Sequence, residues 1–162
     1  TFIGSNLAPR VGLSTPLIEA IYHKTGVRSI LSKQIIFGMI GGTIAYVVSA
    51  CVLKLVEPIL PPEYIAINQN SANQIPLITR ILYGGIVEEL LIAAVIFGIG
   101  HLPVLFSLIS QPTIFLIALV VTLNMILGVI AGWLYWRKGL EAAICAHMTF
   151  HIILITISGI FN

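Results

Sequence analysis

Apolar runs of about twenty residues or more recur along this chain, parted by prolines, asparagines or a knot of aromatic and basic residues. A helix of about 20 apolar residues crosses the hydrocarbon core of a bilayer. It also satisfies its own backbone hydrogen bonds where no water can. Charge agrees with that solvent. Of the 162 residues, 58% are hydrophobic and only 9% are charged, with a net charge of +2. A soluble domain carries about 25% charged residues. The composition therefore excludes an ordinary soluble domain, a disordered tail and a nucleic-acid binder, whose basic face would be dense in Lys and Arg. It predicts an all-α fold, a polytopic transmembrane helical bundle with a polar intramembrane cavity.

Residues 1–33 are too polar to span and read as an interfacial N-terminal segment of one membrane-embedded domain, 1–162. Within it, Ser14 heads a short helix reaching about Lys24, with Pro16 and Glu19 in the first turn. Leu17, Ile18 and Ile21 share a face suited to lying on a bilayer. Spans are expected at about 34–56, 76–91, 92–110, 113–136 and 139–161. Pro58, Pro61 and Pro62 end the first, and Asn68, Asn70 and Asn73 mark a polar connection. Trp133, Tyr135, Trp136, Arg137 and Lys138 form an interfacial anchor. Gly and Ala in the first span suit close helix packing. Cys51 and Cys145, in apolar stretches without metal or redox spacing, read as small buried hydrophobes. No signal-peptide pattern is present. The chain starts on Thr, so residues are expected to precede it.

Basic residues near the cytoplasmic ends of spans set their orientation. Lys24, Arg28 and Lys33 place the start of the first span inside. Arg137 and Lys138 fall inside too only if the chain crosses twice between Pro76 and Ser110. About 35 residues without a polar turn are too few for two crossings. We therefore expect residues to be missing between Leu91 and Ile92, which a Cα–Cα distance near 3.8 Å across that bond would contradict.

Five ionisable residues fall at membrane depth: Glu88, Glu89, His101, His147 and His151. A charge at the bilayer centre costs at least about 2.5–3.5 kcal/mol, so such residues point first to function. Adjacency and desolvation both favour a proton on the Glu88–Glu89 pair; the alternative is a structural pair, one Glu on a helix end and one in a salt bridge. His101 sits at a helix weakened by Gly98, Gly100 and Pro103, which suits a wet cavity. Alone it would read as a structural histidine. His147 and His151, spaced i and i+4, share a helix face about 6 Å apart, right for two ligands of one metal or two donors to one oxyanion. Glu141 reads as salt-bridged beside Arg137 and Lys138, and Asn124 as a hydrogen bond between helices. Carboxylates plus imidazoles shielded from water are the parts of a hydrolytic site. No Gly-x-Ser-x-Gly and no paired intramembrane Asp favours a Ser or Asp protease.

At these residues the chain resembles the CPBP family, also called the Abi family, of CAAX prenyl proteases and bacteriocin-processing enzymes. The family pattern is Glu-Glu-x-x-x-Arg, then Phe-x-x-x-His, then His-x-x-x-Asn or similar. The matches are Glu88-Glu89, Phe97 to His101, and His147 to His151. Two departures stand out: Ala93 holds the place of the Arg, and the interval from Glu89 to Phe97 is short. Residues missing after Leu91 would remove both. His151 replaces the commoner Asn.

The resemblance implies an intramembrane endopeptidase acting on a membrane-associated peptide or protein, in the cell membrane of a prokaryote. In a glutamate-dependent scheme without a cofactor, Glu88 with His101 activates water, His147 and His151 stabilise the oxyanion, and Glu89 orients its neighbours. In the runner-up scheme His101, His147 and His151 ligate zinc and Glu88 is the base. The other classes are a non-catalytic scaffold or bacteriocin-immunity factor on the same fold and, least favoured, an ion-coupled transporter, for which no internal repeat is visible.

Overall fold

The computed structural model describes residues 13–62 and 94–160, all helix and short connections without strands among them. The helices are α1 (Pro16–His23), α2 (Val27–Val56), α3 (Ala94–Gly100), α4 (Leu102–Leu108), α5 (Ile114–Lys138) and α6 (Leu140–Ile160). Among the described residues, three stretches are long and apolar enough to cross a membrane, Val27–Ile59, Ile114–Lys138 and Leu140–Ile157. The expected span at 76–91, the Glu88–Glu89 pair and the Leu91–Ile92 bond lie outside the described residues.

Small residues decide how the long helices meet. A Cβ on Gly38 would overlap the Cys145 side chain, and one on Gly42 would overlap the Ala146 carbonyl. The backbones of α2 and α6 thus touch along a seam that also buries Ala45, Ala142 and Ala146 completely. In lipid this is the available route to tight packing, because tails compete with any larger apolar side chain. The seam runs in one direction: Gly38 meets Cys145 and Gly42 meets Thr149, so α2 and α6 are parallel. Helix α5 opposes both. Gln34 Nε2 donates to the Lys138 carbonyl at 2.9 Å, and Gly41 lies against Leu134.

The apolar contacts form three layers along the bundle. Ala131, Leu134, Ala142, Ala143 and Ala146 pack near the α5–α6 turn. Ala45, Phe97 and Leu127 fill the middle. Leu105, Leu116 and Leu119 close the far end against Val52, Val56 and Leu60.

Several expectations are corrected. Helix α2 begins at Val27, seven residues ahead of the expected span at 34–56. Its first two turns carry Arg28, Ser29, Ser32 and Lys33, polar residues that a helix accepts once it projects beyond the hydrocarbon. Within the expected span at 92–110, the described residues form two short helices broken at His101. Cys51 is exposed and Cys145 half-buried, both as free thiols. Asn124 donates to Val120 O at 2.8 Å within its own helix, not between helices.

Glu141 makes contacts other than those expected. Its Oε1 accepts from the backbone N–H groups of Leu17 and Ile18 at 3.0 and 3.1 Å. Those are orphan donors of the first turn of α1. The α1 cap is Thr15 rather than Ser14, and its side chain makes no capping bond. A carboxylate from another helix fills that role and ties α1 to the head of α6. Ser14 O also accepts from Leu140 N at 3.0 Å. Ala20 is the buried contact of α1, while Ile18, Ile21 and Tyr22 point outward.

Candidate active site

The break that places His101 begins in the backbone. Pro103 has no N–H to give the Ile99 carbonyl, so the helix cannot continue unchanged. His101 N donates to Gly98 O at 3.3 Å, one residue short of the α-helical partner. This releases the Phe97 carbonyl, and the His101 ring takes it, Nδ1 lying 2.8 Å from Phe97 O. A carbonyl only accepts, so Nδ1 carries the proton. In the neutral ring this tautomer leaves the lone pair on Nε2, the form needed by a general base or a metal ligand.

Glycine sets the depth of this segment. A Cβ at Gly98 would meet the Val121 carbonyl at 2.7 Å, and one at Gly128 would meet Ala94 Cα at 3.1 Å. Helix α3 is thus held backbone to backbone on α5, which brings Phe97 into the middle core layer beside α6.

His147 and His151 arise from α6. Their rings stack with centroids 4.9 Å apart and 17° between planes. Their Nε2 atoms lie 3.1 Å apart, one donating and one accepting according to tautomer. His147 is 1% exposed. It lies about 12 Å along the axis from the α5–α6 turn, at 1.5 Å per residue, and so at membrane depth. The Phe97 ring joins the two segments. It contacts His101 at 4.7 Å and meets His147 edge-on at 5.5 Å between centroids. Phe150 packs edge-on against His151 at 5.6 Å and reaches Tyr46 of α2 at 6.2 Å. The three imidazoles are thus gathered in one aromatic-walled region, at the meeting of α2, α3, α5 and α6. Glu88 and Glu89 lie outside the described residues.

Among the described residues, no three His, Cys, Asp or Glu side chains form a group able to hold a metal ion. The His147–His151 pair by itself would suit two positions: nitrogens each about 2.0–2.1 Å from a tetrahedral zinc lie about 3.3 Å apart. That pair can share a proton, give an N–H to an oxyanion, or supply two ligands.

With this geometry in place, the comparison with known families decides the class. The sequence model described as type II CAAX prenyl endopeptidase Rce1-like matches residues 73–153, half of the chain. The chain belongs to this family. The matched stretch covers α3 to α5 and most of α6, and with them His101, His147 and His151. The protein is accordingly a membrane protein of a CAAX-type intramembrane protease family. No curated protein and no solved structure matches the chain.

Sequence reasoning did not single out Gln34, Phe150 or the α1-capping role of Glu141. Gln34 had one signal, an amide at the head of an apolar run, where an unpaired polar group is costly. Its partner, the Lys138 carbonyl, is 104 positions away in the chain. Nothing local announces such a bond.

Proposed function

We propose that this protein is an intramembrane endopeptidase of the cell membrane, of prokaryotic origin, that hydrolyses a peptide bond near the C-terminus of a membrane-associated protein. Glu88 takes the proton of a water, with His101 Nε2 holding and orienting that water. The hydroxide attacks the scissile carbonyl carbon. The oxyanion accepts an N–H from the His147–His151 pair, and Glu88 passes its proton to the leaving amine. The products are a carboxylate and an amine. Glu89 orients the Glu88 carboxylate.

The observation that supports this reading best is the paired Nε2 atoms of His147 and His151 at 3.1 Å. An imidazole that already donates at its Nε2 needs little reorganisation to donate to a stronger acceptor. Preorganised donors of this kind are worth about 10²–10³ in rate each. The family supports the reaction class, and the Phe97 O bond supports the tautomer given to His101. A zinc scheme uses the same pair as two ligands. Among the described residues a third ligand does not join them.

The test is Glu88→Gln in the purified, membrane-reconstituted protein against a lipidated reporter peptide. Loss of cleavage by about 10² or more, with the unfolding midpoint unchanged, supports a catalytic carboxylate. Unchanged cleavage overturns it. Cleavage by neither protein, with a partner still bound, points instead to a scaffold or immunity factor. Metal analysis of protein prepared without chelator separates the two schemes: one equivalent of zinc with chelator-sensitive activity overturns the metal-free one.

A further inference from the structure

The strongest feature outside the imidazole centre is at the opposite extreme of polarity. Five cations meet at one end of the bundle. Lys24, Arg28 and Lys33 flank the start of α2, and the Gln34–Lys138 bond brings Arg137 and Lys138 to the same end. By the positive-inside rule this end is cytoplasmic. Two of these cations are already engaged: Lys138 Nζ lies 4.0 Å from the Phe37 ring centroid, and the Arg137 guanidinium 5.2 Å from Trp136. Arg28 and Lys33 are exposed instead and line a groove with Gly26, Ser29, Ser32 and Ile36. Among the described residues, no carboxylate lines it. The groove wraps the first turn of α2, whose cap residue, Gly26, offers no side-chain bond to the N–H groups there. Two cations, the Ser29 hydroxyl and the positive end of a helix all favour an anion, while the Ser32 hydroxyl donates to the Arg28 carbonyl at 3.0 Å.

The same face of α2 continues as a lipid track. At 100° per residue, Ser29, Lys33, Ile36, Ile40, Ile44 and Val47 fall within one narrow stripe. The four apolar members are 55%, 53%, 50% and 51% exposed. From Lys33 to Val47 the stripe runs about 21 Å, longer than the ~15 Å of hydrocarbon in one leaflet. An anion-binding groove at the membrane surface is thus continuous with an uncovered apolar rail.

We propose that this groove binds the headgroup phosphate of an anionic phospholipid of the cytoplasmic leaflet, with one acyl chain lying along Ile36, Ile40, Ile44 and Val47. The lipid holds the polar start of α2 at the level of the headgroups. This site is independent of the peptidase reading.

The experiment uses the full chain reconstituted in phosphatidylcholine vesicles with labelled phosphatidylglycerol, following the lipid held at the protein by energy transfer from Trp133 and Trp136. Preferential retention of phosphatidylglycerol, reversed by unlabelled phosphatidylglycerol but not by phosphatidylcholine, is the expected result. Each groove cation should be worth about fivefold in retention. Arg28→Gln combined with Lys33→Gln should therefore lower it by more than tenfold. Lys24→Gln, which removes a cation of the same end outside the groove, should change it by less than twofold. Equal losses in both variants would reduce the effect to diffuse surface charge and overturn the site. So would equal retention of the two lipids. Displacement by inorganic phosphate as effective as by phosphatidylglycerol would overturn the lipid as occupant.

Discussion

The α2–α6 seam and the α3–α4 segment solve the same packing problem in opposite ways. In the seam, Gly38, Gly42 and the alanines of α6 give uninterrupted helices whose backbones touch, with Ala142 and Ala146 fully buried. In α3–α4, Pro103 interrupts the helix and a released carbonyl is claimed by an imidazole. The seam fixes His147 and His151 by the rigidity of α6. The break fixes His101 with a local hydrogen bond to Phe97 O. A polar site in lipid thus joins an unbroken helix that sets spacing with a broken one that sets a tautomer.

Gly42→Leu attacks the seam where only backbone can yield. A side chain there meets the Ala146 carbonyl, and we expect loss of more than about 3 kcal/mol, read as failure to recover folded protein in detergent or a steep drop in unfolding temperature. A wild-type melt would mean that the seam is not closely packed. Gly100→Ala is the matched control. A Cβ there meets nothing within 4 Å, and the change should stay within about 1 kcal/mol.

Next in size is His147→Ala. It should lower cleavage by about 10²–10³ while leaving the far-end core around Leu105 and Leu116 intact. Reporter cleavage and a melt measured together check it. Loss of both would make the imidazole a packing residue.

Pro103→Ala sharpens the contrast from the other side. The new N–H at position 103 can bond Ile99 O, so α3 and α4 should merge. The Phe97 carbonyl would then return to the backbone ladder, freeing the His101 ring. We expect equal or slightly higher stability with cleavage reduced about tenfold or more, because the ring is misplaced. Unchanged cleavage would show that the break does not position His101.

The smallest effect should come from Glu141→Ala, which removes the acceptor for two N–H groups of α1. Loss of a helix cap costs about 1 kcal/mol. Faster amide exchange at Leu17 and Ile18, with α5 and α6 unchanged, is the expected signature.

Much of this was legible in the chain. The apolar runs foretold the long helices because the bilayer demands a run of that length. The i, i+4 spacing of His147 and His151 foretold a shared face, since it follows from 3.6 residues per turn. The weakness at Gly98, Gly100 and Pro103 foretold a break beside His101. Helix α2 starts ahead of the expected span because hydropathy marks where a helix enters lipid, not where its hydrogen bonds begin. Glu141 was assigned to Arg137 and Lys138 because those are its sequence neighbours. Its actual partners, Leu17 and Ile18, are more than 120 positions away.

By itself, then, the sequence determined the solvent, the long helices and the chemical kinds at membrane depth, since hydropathy, helical period and proline geometry are local properties. Only the tertiary structure decided that Gly38 and Gly42 are a seam for α6. It also decided that Phe97 serves two histidines and that the cations of α2 and α5 share one end. Those facts are pairings between distant segments, set by which surfaces interlock once the helices stand side by side.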